Sequence, residues 1–271
     1  MGWRHAGVSR PSPSCTTLLD GPDMMARHRA HLWAGPPITE DSAVASPTME
    51  RITLGRMQNP VRGLLHGSAA LASLLGAITL MVRNRGNGWV TLALLVYGAS
   101  LVMMFTTSSL YHSVPWSDRW KGRMRRLDHT GIFLAVAGSY TPFAVVALDG
   151  AWRWGSLLVV WGMGLTGIII KLVERRVRLG LSVTLQSIMG WGAAVPMIEL
   201  ARRLGGATVA WIAVGGVLYT AGMIFMLTNW PKMSPRIFSH HELFHVLVVG
   251  GALTHFLVVL QVLIPMTGTI A

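Results

Sequence analysis

The sequence predicts an all-α membrane protein: a seven-transmembrane helix bundle with its N-terminus in the cytoplasm and its C-terminus outside. Three observations predict it. Of the 271 residues, 52% are hydrophobic and only 13% are charged, against about 25% charged in soluble domains, so much of the surface faces something other than water. Seven apolar runs follow one another after residue 57, each near the roughly 20 residues a helix needs to cross a ~30 Å hydrocarbon core. The connections between the runs alternate between rich and poor in Lys and Arg, the pattern that orients membrane proteins.

Residues 1–56 carry scattered Pro, Ser, Arg and His and no apolar run. This composition predicts a disordered polar leader, and no signal peptide is visible in it. Met24, Met25, Met49 and Met57 offer alternative starts, of which Met49 leaves a compact chain with a short basic N-terminus. The lone cysteine, Cys15, falls in this leader, which excludes an internal disulfide framework and a cysteine-based zinc site. Residues 57–271 form the membrane domain.

Its spans are read at 62–82, 89–112, 127–148, 154–172, 181–200, 208–229 and 240–264. Backbone groups cannot go unpaired in lipid, so spans of this length are helices. The third contains Pro142, expected to kink or loosen it. The fifth is the weakest, with Gln186, Pro196 and Glu199. The rich connections hold Arg119, Lys121, Arg123, Arg125 and Arg126, then Lys171, Arg175, Arg176 and Arg178, then Lys232 and Arg236. The poor ones hold Arg83 and Arg85, Arg153, and Arg202 and Arg203. The rich set belongs in the cytoplasm, as do Arg51, Arg56 and Arg62, and seven spans satisfy that parity. The location is therefore the cell (plasma) membrane, multi-pass. A net charge of +12 in a soluble protein would point to nucleic acid; distributed between spans, it points to topology and anionic membrane lipids instead, with no nucleic-acid partner.

Ionisable and polar groups at membrane depth are functional candidates by default, and three features converge. His241 and His245 open the last span and, four apart, share a helix face. Ser108 and His112 close the second span in the same way. Asp128, followed by His129, opens the third. Each has a plainer reading: a packed or pH-sensing pair, a hydroxyl bonded back to its own helix, a carboxylate paired with Arg125 or Arg126 or placed at a helix N-terminus. Topology favours the functional one, because spans 2, 3 and 7 all have these residues at the cytoplasmic face. Three imidazoles with one open position form a common catalytic zinc arrangement. His255 lies about 15 Å deeper than His245 at 1.5 Å per residue and is expected to bond a neighbouring helix. His66 sits near the inner end of span 1, where it could approach the site, with a core histidine as the default reading, and His240 is expected to be interfacial. Ser239-x-x-Glu242 reads as a capping box, so Glu242 is not taken as a general base. Glu199 is expected to pair with Arg202 or Arg203.

These residues carry a family resemblance. Ser108-x-x-x-His112, Asp128-His129 with Gly131-Ile-Phe133 and Tyr140-Thr-Pro-Phe143, and His241-x-x-x-His245 resemble the hemolysin III family, the bacterial branch of the progestin and adiponectin receptor superfamily. The resemblance covers roughly residues 59–264. It implies a seven-helix fold with a cytoplasmic N-terminus and a zinc ion held by His112, His241 and His245. It also implies that Asp128 contacts the water on that zinc and that Ser108 lies beside the site. Many members carry an acidic residue before the first-span Asn, where this chain has Arg56 three positions before Asn59, and His66 departs from the usual first-span histidine. The expected function is a zinc-dependent hydrolase of a lipid amide or ester bond, by analogy with the alkaline ceramidases of the wider superfamily. The catalytic residues would be Asp128 and Ser108, the metal ligands His112, His241 and His245, and the cofactor zinc. The alternatives are a non-enzymatic membrane-homeostasis or receptor-like protein with structural zinc and, ranked last, a lytic or pore-forming protein.

Overall fold

In the computed structural model every regular element is helical, over the described residues 57–173, 179–192, 194–233 and 238–269. The leader with Cys15 and Arg56, the basic residues Arg175, Arg176 and Arg178, and Arg236 lie outside that set. The helices are α1 (Pro60–Arg83), α2 (Gly88–Ser113), α3 (Asp118–Ala147), α4 (Gly150–Val173), α5 (Leu179–Gly192), α6 (Met197–Leu204), α7 (Gly206–Thr228) and α8 (His240–Val258). The last continues through a π-turn, Val259–Leu263, into a final turn, Ile264–Met266. Pro265 cannot donate to the carbonyl four residues back and its ring crowds that carbonyl, so a widened turn just ahead of it relieves the clash. Among the described residues seven stretches are long and apolar enough to cross a membrane, α5 and α6 together forming the fifth.

Two expectations about the spans need correcting. The third helix starts at Asp118, nine residues before the apolar run. Arg119, Lys121, Arg123, Arg125 and Arg126 are therefore helical extensions rather than a loop, and Asp128 sits ten residues into α3 instead of opening it. Thirty residues make a helix about 45 Å long, so its polar first third extends past a ~30 Å core. The fifth span is broken: α5 ends at Gly192 and Pro196 caps the short α6. Gly205, at φ 81°, then joins α6 to α7 through a single residue, a backbone conformation that suits glycine. Pro142 does not interrupt α3.

The centre of the bundle is α3, with 72% of its most apolar window buried against 11% for α7. It packs on α2, α4, α5, α6 and the π-turn, while α1 packs on α2 and α8, and α7 on α8. Small residues let these backbones approach, as expected where helix association relies on close packing rather than water exclusion. Gly138 lies against Ser100 of α2, Gly131 against the backbone of Met104, and Gly164 of α4 against Ala137. The remaining large apolar side chains, such as Leu71, Leu75, Leu158 and Ile169, face outward, where lipid covers them.

Candidate metal centre

At the end of the bundle that carries the basic start of α3, called here the basic end, α2 finishes and α8 begins. The buried face of α2 runs through Tyr97, Leu101, Phe105, Ser108 and His112, a three-to-four-residue spacing that keeps one stripe inward. His112 is thus the last buried residue of a core stripe. The end of α2 is unusually well tied down, since helix C-termini normally leave four carbonyls without partners. Here the His112 carbonyl accepts from the Asn59 N–H at 2.9 Å and that of Ser113 from Gln58 at 3.2 Å. The Leu110 carbonyl accepts from Val114 and from the Trp116 indole at 3.0 Å.

The start of α8 is set by the expected capping box. The Glu242 carboxylate accepts from the Ser239 N–H at 2.7 Å and from the Ser239 hydroxyl, and the Ser239 side chain accepts in return. Its other oxygen accepts from Arg62 Nε of α1 at 2.7 Å. Both side chains are under 9% exposed. Glu242 is thereby fully engaged as a structural anion, which fixes the rotation of α8 at its first turn.

That rotation brings His241 and His245 to His112. One nitrogen from each of the three lies within 4.8 Å of the others. The His241 and His245 rings stack nearly parallel, centroids 4.9 Å apart at 10°. His112 meets them edge-on at 5.5 Å and 5.0 Å. His112 and His245 are buried and His241 is half-buried. Nitrogens on one tetrahedral ion sit about 3.4 Å apart, given metal–nitrogen bonds of ~2.0–2.1 Å, so modest ring rotations bring this trio onto a common centre. Nε2 of His245 is buried with no protein hydrogen-bond partner, as suits a nitrogen whose lone pair would face a metal ion. Three imidazoles suit zinc and other borderline divalent ions, so the donor set fits the expected group.

Ser108 lies one turn before His112, 2% exposed. The antiparallel register defined by Gly131 on Met104 and Gly138 on Ser100 puts Asp128 level with Thr107 and Ser108, about one turn deeper than His112. Asp128 is half-buried and has partners in the protein. His255 bonds the Ile212 carbonyl of α7 at 3.1 Å, as expected, and Glu199 pairs with Arg203 at 2.7 Å and with Arg202.

His66 is a core histidine, as expected, and also approaches the site, whereas Arg62 and Lys171 behave otherwise than expected. His66 contacts a member of the trio: its Nε2 lies 2.7 Å from Nδ1 of His245. Arg62 is a buried ion-pair partner. Lys171 is a buried residue of α4, 5% exposed, with Nζ 3.4 Å from Nδ1 of His129, and not a loop cation. An ammonium only donates, so this His129 nitrogen accepts. The signal for the first two was present in the sequence: Arg62 and His66, four apart, form a polar face on an otherwise apolar span.

With the geometry established, comparison with known proteins identifies its setting. Residues 55–256 match the family model described as haemolysin-III related. The chain is 31% identical to Hemolysin-3 of Bacillus cereus over 219 residues, 80% of this chain and 97% of that protein. It is 30% identical to a Hemolysin-3 homolog of Bacillus subtilis (strain 168) over 199 residues, 73% of this chain and 90% of that one. The monocyte to macrophage differentiation factor of Homo sapiens is 22% identical over 202 residues, 70% of this chain and 78% of the human protein. The chain belongs to the haemolysin-III-related family of integral membrane proteins.

Proposed function

We propose that this protein is a zinc-dependent membrane hydrolase that cleaves an amide or ester bond of a lipid at the basic, cytoplasmic end of the bundle. One observation carries the reading: His112, His241 and His245, brought from two helices far apart in sequence, present three nitrogens within 4.8 Å. Zinc, when bound, supplies a Lewis acid that polarises a carbonyl and lowers the pKa of water to about 7. The three imidazoles would hold the ion. The Asp128 carboxylate orients the attacking water, accepts its proton and returns it to the departing amine or alcohol. The Ser108 hydroxyl donates to the carbonyl oxygen as negative charge develops there. A lipid substrate suits a site at headgroup depth, because its tails stay in the bilayer beside the apolar helix faces. The excess of Lys and Arg supports placing this end in the cytoplasm; a C-terminal reporter active only in the cytoplasm is expected to stay silent, and a strong signal would reverse the orientation.

A second reading is favoured by the engagement of α1, α2 and α8 at the same place: zinc as a structural pin in a protein that senses or tunes the membrane. The Bacillus relatives are named for haemolysis, but for this chain a lytic role ranks last, since its spans describe a protein retained in its own membrane. Metal content of the detergent-purified protein, beside His112→Ala and His241→Ala, tests the site. About one zinc per chain in the parent and little in either variant is expected. No metal after chelator-free purification would remove the hydrolase mechanism. Loss of lipid amide or ester hydrolysis in a zinc-replete Asp128→Asn variant separates catalysis from the structural role, in which His112→Ala lowers the melting temperature with no turnover to lose.

A further inference from the structure

We propose that His66 is a positioning residue: from α1 it accepts the Nδ1–H of His245 and so presents the other nitrogen of that ring, Nε2, to the metal centre. This rests on the metal-site reading above and adds a residue to which that reading gives no part. A neutral imidazole has one N–H and one lone pair. Nδ1 of His245 is engaged with His66 at 2.7 Å, while Nε2 is buried without a protein partner. A ligating nitrogen must offer its lone pair, so ligation through Nε2 places the hydrogen of His245 on Nδ1. Nε2 of His66 must then accept, and His66 carries its own hydrogen on Nδ1. One assignment fixes the other. Metal-binding histidines commonly donate their second N–H to a carboxylate or carbonyl. Here a neutral imidazole takes that place, which avoids burying a further anion inside the protein, where charge is expensive.

His66 is itself held in position. It is 2% exposed and packs edge-on against Phe105 of α2, with ring centroids 5.1 Å apart. Its ring meets His245 at 4.1 Å and 83°. One turn earlier Arg62 grips Glu242, so α1 engages the first turns of α8 at two successive rungs. The same stretch of α1 steadies α2, through Asn59 on the His112 carbonyl and through the Ser109 hydroxyl on the Gly63 carbonyl at 2.7 Å. α1, which contributes no member of the trio, braces both helices that do.

The test uses the full-length protein in detergent as parent, His66→Leu and His66→Gln. Glutamine carries an amide oxygen to about the place of Nε2 and keeps an acceptor there; leucine removes it. Zinc affinity is measured by chelator competition, the ligand geometry by the visible absorption of the Co2+ form, and the fold by the melting temperature of the metal-free protein. His66→Leu is expected to bind zinc about 10–100-fold more weakly with an altered Co2+ spectrum, and His66→Gln to recover most of the affinity and the parent spectrum. If the leucine variant does not fold, His66→Asn, whose amide stops short of Nε2, replaces it. Parent-like affinity and spectrum in His66→Leu would overturn the proposal while leaving the metal site intact. So would a glutamine variant as weak as the leucine one, since packing or direct ligation would then explain the effect. A parent that binds neither Zn2+ nor Co2+ would overturn the metal reading itself, and the positioning role with it.

Discussion

Replacing Arg62 by methionine keeps the length of the side chain and removes its charge, leaving Glu242 a buried carboxylate with one oxygen stripped of its partner. The pair is under 9% exposed on both sides and closes at 2.7 Å, so screening by solvent is slight. With the charges taken about 4 Å apart at an effective dielectric of about 20, the lost attraction is about 4 kcal/mol. That agrees with the ~3–5 kcal/mol cost of removing one member of a buried pair. For a chain of this size it corresponds to a fall of about 6–20 °C in melting temperature. Glu242→Gln removes the charge from the other side of the same contact. The double variant leaves neither charge, and its glutamine still closes the capping box with Ser239. We expect each single variant to lose about 3–5 kcal/mol and the double to lose at least ~2 kcal/mol less than their sum, read from reversible unfolding in mixed detergent micelles. Losses that add to within about 0.5 kcal/mol would refute the reasoning, because the two side chains would then not be interacting.

The seam between α7 and α8 can be probed with glycines. A Cβ on Gly251 would meet the Tyr219 ring at 2.9–3.0 Å, whereas one on Gly216 meets nothing within 4 Å. Gly251→Ala should therefore destabilise by about 1–3 kcal/mol and Gly216→Ala stabilise by up to about 1 kcal/mol; the opposite order in the same unfolding assay would contradict this packing. At the far end of the bundle, hydrogen bonding from Arg203 holds the Asp149 carboxyl below its ordinary range. A depressed folded value means that the contribution is present above the unfolded pKa of about 3.9 and is lost as pH falls through the folded one. Because Asp149 is 63% exposed, that contribution should stay below about 1 kcal/mol. The stability gap between parent and Asp149→Asn should be constant from about pH 5 to 8 and close at lower pH; a gap that widens on acidification would show that Arg203 does not hold Asp149.

The spans were legible because lipid imposes a length on an apolar run, and six of the seven begin within a few residues of their helices. Hydropathy marks where the bilayer ends, however, and not where hydrogen bonding ends. The polar turns Asp118–Leu127 were therefore read as loop although they continue α3. The Ser239–Glu242 cap was readable because its partners are three residues apart. His112, His241 and His245 were readable because i, i+4 spacing and the alternation of spans place them at one end without any knowledge of helix rotation. The polar face of Arg62 and His66 was legible, but the partners it meets were hidden, because each depends on how α1 is turned against a helix about 180 residues later. Lys171 was misplaced for a related reason: a basic residue at the edge of an apolar run can belong to the loop or turn inward, and inward rotation against His129 is a tertiary fact.

The contact between α1 and α8 also orders events during synthesis. The first span to leave the ribosome carries Arg62 and His66, and their partners arrive with the last. Until residue 240 has been translated, the nascent bundle holds His112 alone of the three candidate ligands, and Arg62 waits at the membrane boundary without Glu242. Insertion of the final helix completes the histidine trio and brings Glu242 to the early arginine in one step. A chain cut short before that step keeps six of its spans but lacks the carboxylate that Arg62 engages in α8 and two of the three candidate ligands.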